Sequence, residues 1–276
     1  MSELKFSVAM SVYRNDDPAQ FDRALESITV LQTVKPDEIV LVVDGPVGDG
    51  LNGVIAKYEA LFSIFRVIRL EKNGGLGNAL RLAVEHATYE LIARMDSDDV
   101  SLPTRFEEQL RYFSENGEVD IVGGDISEFV GEEENVVAYR KVPCSDAEIK
   151  TYMKKRCPLN HVSVMYKKAA VLNAGGYLDL FWNEDYYLWI RMAEKGAAMG
   201  NTGTVLVNVR TGADMYSRRG GKKYFKSELF LQRYMLERKM IGRAIYLENV
   251  LKRWIVQRLL PNRIRGWVFR TFARRG

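Results

Sequence analysis

At 276 residues, with 47% hydrophobic and 28% charged side chains, the chain can bury a sizeable core, which argues against wholesale disorder and leaves room for one large domain or two small ones. Its formal net charge of +4 conceals a split at Tyr216: 23 Lys and Arg stand against 33 Asp and Glu up to that residue, and 17 against 3 beyond it, so an acidic body of −10 carries a basic tail of +14. No apolar run approaches the roughly 18–20 residues of a membrane span, and two cysteines, Cys144 and Cys157, cannot supply a disulfide framework or a four-ligand structural zinc site. Met1-Ser2-Glu3-Leu4-Lys5 puts no basic segment ahead of an apolar run, so no secretory signal is expected and the reading is a reducing, cytoplasmic setting.

Short apolar runs alternate with amphipathic segments through the first half, the pattern of parallel strands joined by crossover helices. Phe6 to Val12 reads as a strand, and Pro18 opens a helix with Phe21, Leu25 and Ile28 at helical spacing. Glu38 to Val43 reads as a buried strand, Val54 to Leu61 as a helix, Phe65 to Leu70 as a strand, and Gly77 to Ala87 as a helix burying Leu80, Ala83, Val84 and Ala87. Tyr89 to Met95 is a fourth strand, running into Asp96-Ser97-Asp98-Asp99. From Val119 to Met165 the pattern loosens into strands with a helix at Asp146 to Lys155; another helix covers about Asp185 to Lys195, and after Val207 the chain is expected to turn helical and basic. No internal repeat is visible.

Ligands of open α/β sheets bind outside the carboxyl ends of the strands, where Asp44 and Asp96 both fall. Three carboxylates at one strand mouth repel each other unless a cation neutralises them, and a hard divalent ion shared with substrate phosphates does so. Helix capping by Asp98, Asp99 or Ser101, ahead of a helix near Pro103, is the alternative. As an EF-hand loop the segment fails, with Val100 at the fifth place and Ser101 where glycine is required. As a dinucleotide fingerprint, Gly75-Leu76-Gly77 lacks its third glycine, Leu80 standing there.

The tail from Ile241 places Leu247, Val250, Leu251, Trp254, Ile255 and Leu259 near one helical face among Arg243, Lys252, Arg253 and Arg258, before Pro261. Beyond it, Ile264, Trp267, Val268 and Phe269 interleave with further arginines. Basic residues with Trp and Phe on an amphipathic helix describe a segment lying on an anionic membrane surface. The alternative is a helix packed on the acidic body or on a partner subunit.

A set of motifs in fixed order carries a resemblance. Met10-Ser11-Val12-Tyr13-Arg14-Asn15, Asn73-Gly74-Gly75-Leu76-Gly77-Asn78-Ala79-Leu80, Ala93-Arg94-Met95-Asp96-Ser97-Asp98-Asp99, Leu102-Pro103-Thr104-Arg105, Ala174-Gly175-Gly176-Tyr177 and Asn183-Glu184-Asp185-Tyr186-Tyr187-Leu188-Trp189 together resemble family 2 glycosyltransferases. The resemblance spans about residues 5–240 and is nearest to bacterial enzymes that extend capsule, exopolysaccharide or O-antigen repeat units on a lipid carrier. It implies an α/β GT-A fold, a mostly parallel central sheet flanked by helices. Residues 1–216 would form the catalytic domain (nucleotide-sugar half about 1–100, acceptor half about 101–216), and 217–276 a basic helical region.

It further implies metal-dependent inverting transfer from a nucleotide diphosphate sugar, a UDP-sugar being the expected donor, to a polyprenyl-diphosphate-linked saccharide. Mn²⁺ or Mg²⁺ would sit on Asp98 with Asp96, Asp96 and Ser97 also facing the nucleotide, and Asp185 would be the general base; capping of its helix is the alternative role. Val12 and Tyr13 would flank the base and Asp44 would accept from it, the second acid usual in the family being replaced here by Gly45-Pro46. Asn73, Gly74 and Gly75 would bring backbone to the nucleotide. Arg218 and Arg219, in a basic glycine-containing loop, would hold the diphosphate, while Trp182, Glu184 and His161 face the acceptor; for His161 a structural role stays open.

The expected place is the inner face of the cell membrane, bound peripherally through the basic tail, with no nucleic-acid partner and with self-association left open. The rivals are a nucleotidyltransferase, which leaves Glu184-Asp185 without a job, and a nucleic-acid-binding protein using the tail, which leaves the acidic motifs unexplained.

Overall fold

In the computed structural model, which describes residues 4–212 and 221–259, the four apolar runs of the first hundred residues become parallel neighbours. They are β1 (Phe6–Val12), β2 (Glu38–Val43), β3 (Phe65–Arg69) and β4 (Leu91–Met95), joined by α1 (Pro18–Ile28), α2 (Asp49–Leu61) and α3 (Leu76–His86). The second half supplies β5 (Val100–Ser101), α4 (Arg105–Glu115), β6 (Ile121–Phe129), β7 (Val136–Arg140), α5 (Asp146–Met153), β8 (Met165–Lys167), α6 (Lys168–Asn173), α7 (Glu184–Glu194) and β9 (Met199–Arg210). Two helices follow, α8 (Gly221–Glu237) and α9 (Arg243–Trp254), the latter running on as a π-helical turn, Ile255–Leu259.

The sheet order is β3-β2-β1-β4-β8-β6-β9-β5, with β7 on the other part of β6. Strands β1 to β4 pair in parallel, β8 runs antiparallel to β4 and β6, and β6 and β9 are parallel. Both faces are covered, which is why the first strands read as near-continuous apolar runs. Phe6, Val8, Met10 and Val12 pack with Phe21 and Leu25 of α1, Ile55 of α2 and Phe106 of α4. On the opposite face Ala9, Val40 and Val42 meet Leu80 of α3, Trp189 of α7, and Leu231 and Met235 of α8. Helix α8 therefore shares the core of the body, although it belongs to the basic stretch of the sequence.

The expectation of helix after Val207 gives way to strand. Residues Val207, Asn208, Val209 and Arg210 pair with Ile126 to Phe129, and Leu206 and Val207 are buried, so sheet pairing decides the conformation there. Helix α2 begins at Asp49, five residues before the expected start, because Gly50 and Gly53 interrupt its periodicity; Asp49 in the first turn suits the helix dipole. Neither Asp98, Asp99 nor Ser101 caps α4, whose N-cap is Thr104.

Candidate active site

Parallel pairing aligns the carboxyl ends of the strands: Val12 sits beside Val43 and Met10 beside Met95. The residues that follow, Tyr13, Asp44 and Asp96, line one edge. Because β2 lies to one side of β1 and β4 to the other, that edge opens at a topological switch point, where a crevice forms. Two hydrogen bonds shape it. Ser97 Oγ donates to Asp16 Oδ2 at 2.8 Å, and Tyr13 N donates to the same oxygen at 3.0 Å, so the loop after β1 is tied to the acidic motif after β4.

Asp44 organises the neighbouring turn. Its Oδ1 accepts from Gly74 N at 2.6 Å, and its Oδ2 from Gly75 N at 3.0 Å and Asn73 Nδ2 at 2.9 Å. Three of the roughly four lone-pair positions of a carboxylate are thereby used. Gly45 makes this approach feasible, since at φ +86° a Cβ there would lie 2.7 Å from Asn73 N. Gly75, also at φ +86°, then opens α3.

Carboxylate oxygens of Asp96, Asp98 and Asp99 lie within 4.8 Å of one another. Asp96 forms a two-pronged pair with Arg94, a buried β4 residue. Asp99 is buried and accepts from Arg210 N at 2.8 Å, tying the end of β9 to the cluster. Asp98 lies at the open side, yet desolvation of its carboxyl, followed by the charges of Asp96 and Asp16, pushes its pKa up to about 6. Like-charge crowding of this kind is what a divalent cation relieves, and an all-oxygen donor set suits a hard one. The cluster fits such an ion.

Beneath the cluster, Arg105 is wholly buried and donates to Arg94 O at 2.6 Å and to Gln109 Oε1 at 3.1 Å. Burial, then repulsion from Arg94, pulls its pKa down to about 9. His161 shares this buried layer, its Nε2 3.0 Å from Tyr177 Oη and its ring edge-on to Trp189. Burial, then the charge of Arg94, holds His161 well below its ordinary pKa and so neutral.

The head of α7 stands within reach of the Arg94 charge. Its N-cap is Asn183, whose side chain donates to Ser227 Oγ of α8 at 2.9 Å. Asp185 is therefore not the cap, although its place in the first turn suits the dipole. Glu184 faces α3, where a Cβ placed on Gly77 would lie 3.7 Å from Glu184 Cβ. Asp185 faces the other way, its Oδ2 3.8 Å from Cys157 Sγ, into a cavity of about 420 Å³ that Trp182 also lines. Trp182 is 49% exposed and holds a left-handed backbone, φ 60°, a strain that non-glycine residues accept where the surroundings enforce it.

Burial, followed by the charge of Asp185, pushes the Glu184 carboxyl up to about 7. A carboxyl protonated more readily in the folded state contributes stability at low pH that is lost as the pH rises through the folded pKa. Wild-type chain should accordingly lose stability between about pH 5 and 7 by an amount absent from Glu184→Gln, which is checked by chemical denaturation across that range; equal slopes would remove the assignment.

Residues 7–181 match the family described as glycosyl transferase family 2. The chain belongs to that family. A protein of Escherichia coli described as UDP-Gal:alpha-D-GlcNAc-diphosphoundecaprenol beta-1,3-galactosyltransferase is 36% identical over 271 residues, 98% of this chain and 97% of its own. The amylovoran biosynthesis glycosyltransferase AmsE of Erwinia amylovora is 39% identical over 237 residues, 86% of this chain and 88% of its own. Among solved structures, the mannosyltransferase PcManGT of Pyrobaculum calidifontis, in complex with GDP-Man and Mn²⁺, superposes with a TM-score of 0.63 at 13% identity, covering 96% of this chain and 72% of that one. That likeness is one of fold, the α/β GT-A architecture.

The glycosyltransferase thus gathers Tyr13, Asp44, Asn73, Gly74, Gly75, Asp96, Ser97 and Asp98 along one crevice, while Asp185 and Trp182 share a separate cavity and Glu184 lies between. Val12 is buried at the end of β1. His161 does not line the cavity of Asp185. Arg218 and Arg219 lie outside the described residues, as do the aromatic and basic residues beyond 259. Reasoning from sequence missed Asp16, Cys157 and the part played by Arg94. Asp16 had a usable signal, standing four residues past β1 in the same crevice-forming loop as Tyr13.

Proposed function

We propose that this glycosyltransferase moves a sugar from a nucleotide diphosphate, UDP being the expected nucleotide, onto a hydroxyl of a polyprenyl-diphosphate-linked saccharide during surface polysaccharide assembly, with inversion at the anomeric carbon. The observation that carries the reading is the pair of carboxylate sites, the acidic strand end bonded to Arg94 and the Glu184-Asp185 pair at the head of α7, which lies against α3 and within reach of the same Arg94 charge. The printed name of the Escherichia coli relative, which joins a UDP-sugar donor to a diphosphoundecaprenol acceptor, supports the same substrates.

In the reaction the acceptor oxygen forms its bond to the anomeric carbon from the face opposite the leaving group, and its proton passes to Asp185. The bond between that carbon and the diphosphate oxygen breaks, the electron pair leaving with the nucleotide. Asp98 and Asp96 would hold Mn²⁺ or Mg²⁺, whose chemistry is Lewis-acid stabilisation of the departing diphosphate. Tyr13 flanks the base, with Val12 offering backbone only because its side chain is buried in the core; Asp44 offers the base its remaining lone pair, and the Asn73-Gly74-Gly75 turn and Ser97 approach the nucleotide. Arg218 and Arg219 complete the diphosphate contacts, Trp182 gives the acceptor sugar an aromatic face, and Glu184, protonated near neutrality, sits beside the reacting centre. A role for His161 is confined to supporting Tyr177 and Trp189 beneath that centre.

A thermal-shift panel of nucleotide sugars with Mn²⁺ tests the donor. One sugar nucleotide at a hundredfold excess over its dissociation constant should stabilise the chain by about 2.7 kcal/mol; a flat response across the panel would sink the reading.

In this proposal the basic region 217–276 carries the membrane foot of the catalytic domain 1–216, with α8 packed into the body and α9 supplying the support. The helix is amphipathic in the reverse sense for a packed helix: Asn249 and Gln257 are 2% and 7% exposed, whereas Leu247, Leu251 and Trp254 are 65%, 57% and 44% exposed. It docks on the body through Ile245 and Tyr246, through Asn249, bonded to Lys154 O and Gln232 Oε1, and through a largely buried Arg253–Glu228 pair. Outward apolar residues flanked by basic ones suit an anionic bilayer surface. Among the described residues no helix is long and apolar enough to cross a membrane. Replacing Leu247, Leu251 and Trp254 together with Ser should leave folding intact and reduce sedimentation with phosphatidylglycerol vesicles at least tenfold; undiminished sedimentation would show that the face is not the foot.

A further inference from the structure

The cavity that holds Asp185 is strongly basic. Five Lys and Arg side chains line it, against the two carboxylates of Asp185 and Glu228; Glu228 pairs with Arg253, and Lys252 also pairs with Glu248 one turn before it on α9. They come from three separate segments: Arg140 at the end of β7, Lys155 and Arg156 after α5, and Lys252 and Arg253 on α9. Cys157 joins them to the reacting end, its Sγ lying 3.8 Å from Asp185 and its carbonyl accepting from Arg140 Nη2 at 2.8 Å. Arg253 Nη2 in turn donates to Lys155 O at 2.8 Å, which fixes α9 as one wall. Nothing in donor chemistry accounts for this positive charge.

We infer that this cavity is a binding site for the diphosphate of an isoprenoid-linked saccharide, with Lys155, Arg156 and Lys252 as its principal cationic ligands. The inference rests on the proposed function and names the subsite through which that acceptor is recognised. Asp185 and Trp182 for the sugar and the cationic wall for the diphosphate line one cavity, and the isoprenoid would meet the outward Leu251, Trp254 and Ile255 of the helix segment that forms one of its walls. About 420 Å³ falls in the range of small-molecule sites. Arginine forks and lysine point charges are the phosphate-binding groups of proteins. An excess of cations beside the general base also spares the site the cost of bringing a diphosphate next to a carboxylate.

The test titrates farnesyl diphosphate, an isoprenoid diphosphate without the sugar, into the full chain by calorimetry in the absence of donor. Wild type should bind it, and Lys155→Gln/Arg156→Gln and Lys252→Gln should each bind at least tenfold more weakly while binding UDP with Mn²⁺ as wild type does, which shows that the variants are folded. No binding by wild type, equal binding by the variants, or displacement by UDP would overturn the inference. Displacement by dihexanoylphosphatidylglycerol at equal concentration would also overturn it, the site then being a lipid-headgroup site only. Undiminished transfer to the lipid-linked acceptor by the double variant overturns the cavity assignment alone. Absence of transfer from every nucleotide sugar, with farnesyl diphosphate bound as expected, overturns the proposed function and leaves the diphosphate site standing.

Discussion

Replacing Asp185 with Asn should lower the rate of transfer by about 10²–10⁴-fold, the range that a positioned general base supplies, with donor binding unchanged. The substitution keeps the shape of the side chain at the head of α7 and removes only its capacity to take the acceptor proton. Glu184 does not offer a substitute, because it faces α3 rather than the cavity and its carboxyl is pushed up to about 7 by burial and by Asp185 itself. The measurement is single-turnover transfer with saturating donor, accompanied by calorimetric titration of the nucleotide. Transfer within tenfold of wild type would remove Asp185 from the chemistry, and a parallel loss of nucleotide binding would make it a positioning residue.

Asp98→Ala is expected to have the second large effect and a different signature. Withdrawing a metal ligand costs several kcal/mol of charge stabilisation at the leaving group, which is about a hundred- to thousandfold in rate. The residual activity should no longer respond to chelator or to added Mn²⁺, whereas wild type should lose activity to chelator and regain it with the ion. Asp99→Asn distinguishes the cluster members: Asp99 is buried and occupied by Arg210 N, an acceptor role that the amide oxygen keeps, so the response to chelator and Mn²⁺ should persist and, with one crowded buried charge removed, stability should not fall. Wild-type activity that survives exhaustive chelation would overturn the metal role of Asp98.

Much of the donor side was legible in the sequence because it is built from local pattern. Four apolar runs with helices between them point to parallel strands, and parallel strands put their carboxyl ends together, so Asp44 and Asp96 fall on the same edge of the sheet. Arg94 shows where that reasoning ends. In the strand run Ala93-Arg94-Met95 it is one charged residue among apolar ones, and only tertiary packing reveals that it is buried and joined to Asp96. The antiparallel insertion of β8 between β4 and β6 was invisible for a related reason, since its three residues carry no period and owe their conformation to partners far away in the chain. Arg140, Lys155 and Lys252 are more than a hundred residues apart at the extremes, and spacing in sequence cannot place them around one cavity. Periodicity did find the apolar stripe of α9, but a stripe alone does not say which face of a helix meets the body.

That reversed helix also bears on how the enzyme finds its substrates. A helix with its side chains is about 10 Å across, and Arg253, on the inner face of α9, lines the same cavity as Asp185. A chain resting on the outer face of α9 would therefore have that helix alone between the lipid boundary and one wall of the cavity of Asp185. The acceptor, confined to the plane of the bilayer, would be met by a two-dimensional search, while the crevice at the strand ends collects the soluble donor from three dimensions. Two encounter problems of different dimensionality would then be handled at two sites, so that raising vesicle concentration should change the apparent affinity for acceptor and leave that for donor where it was.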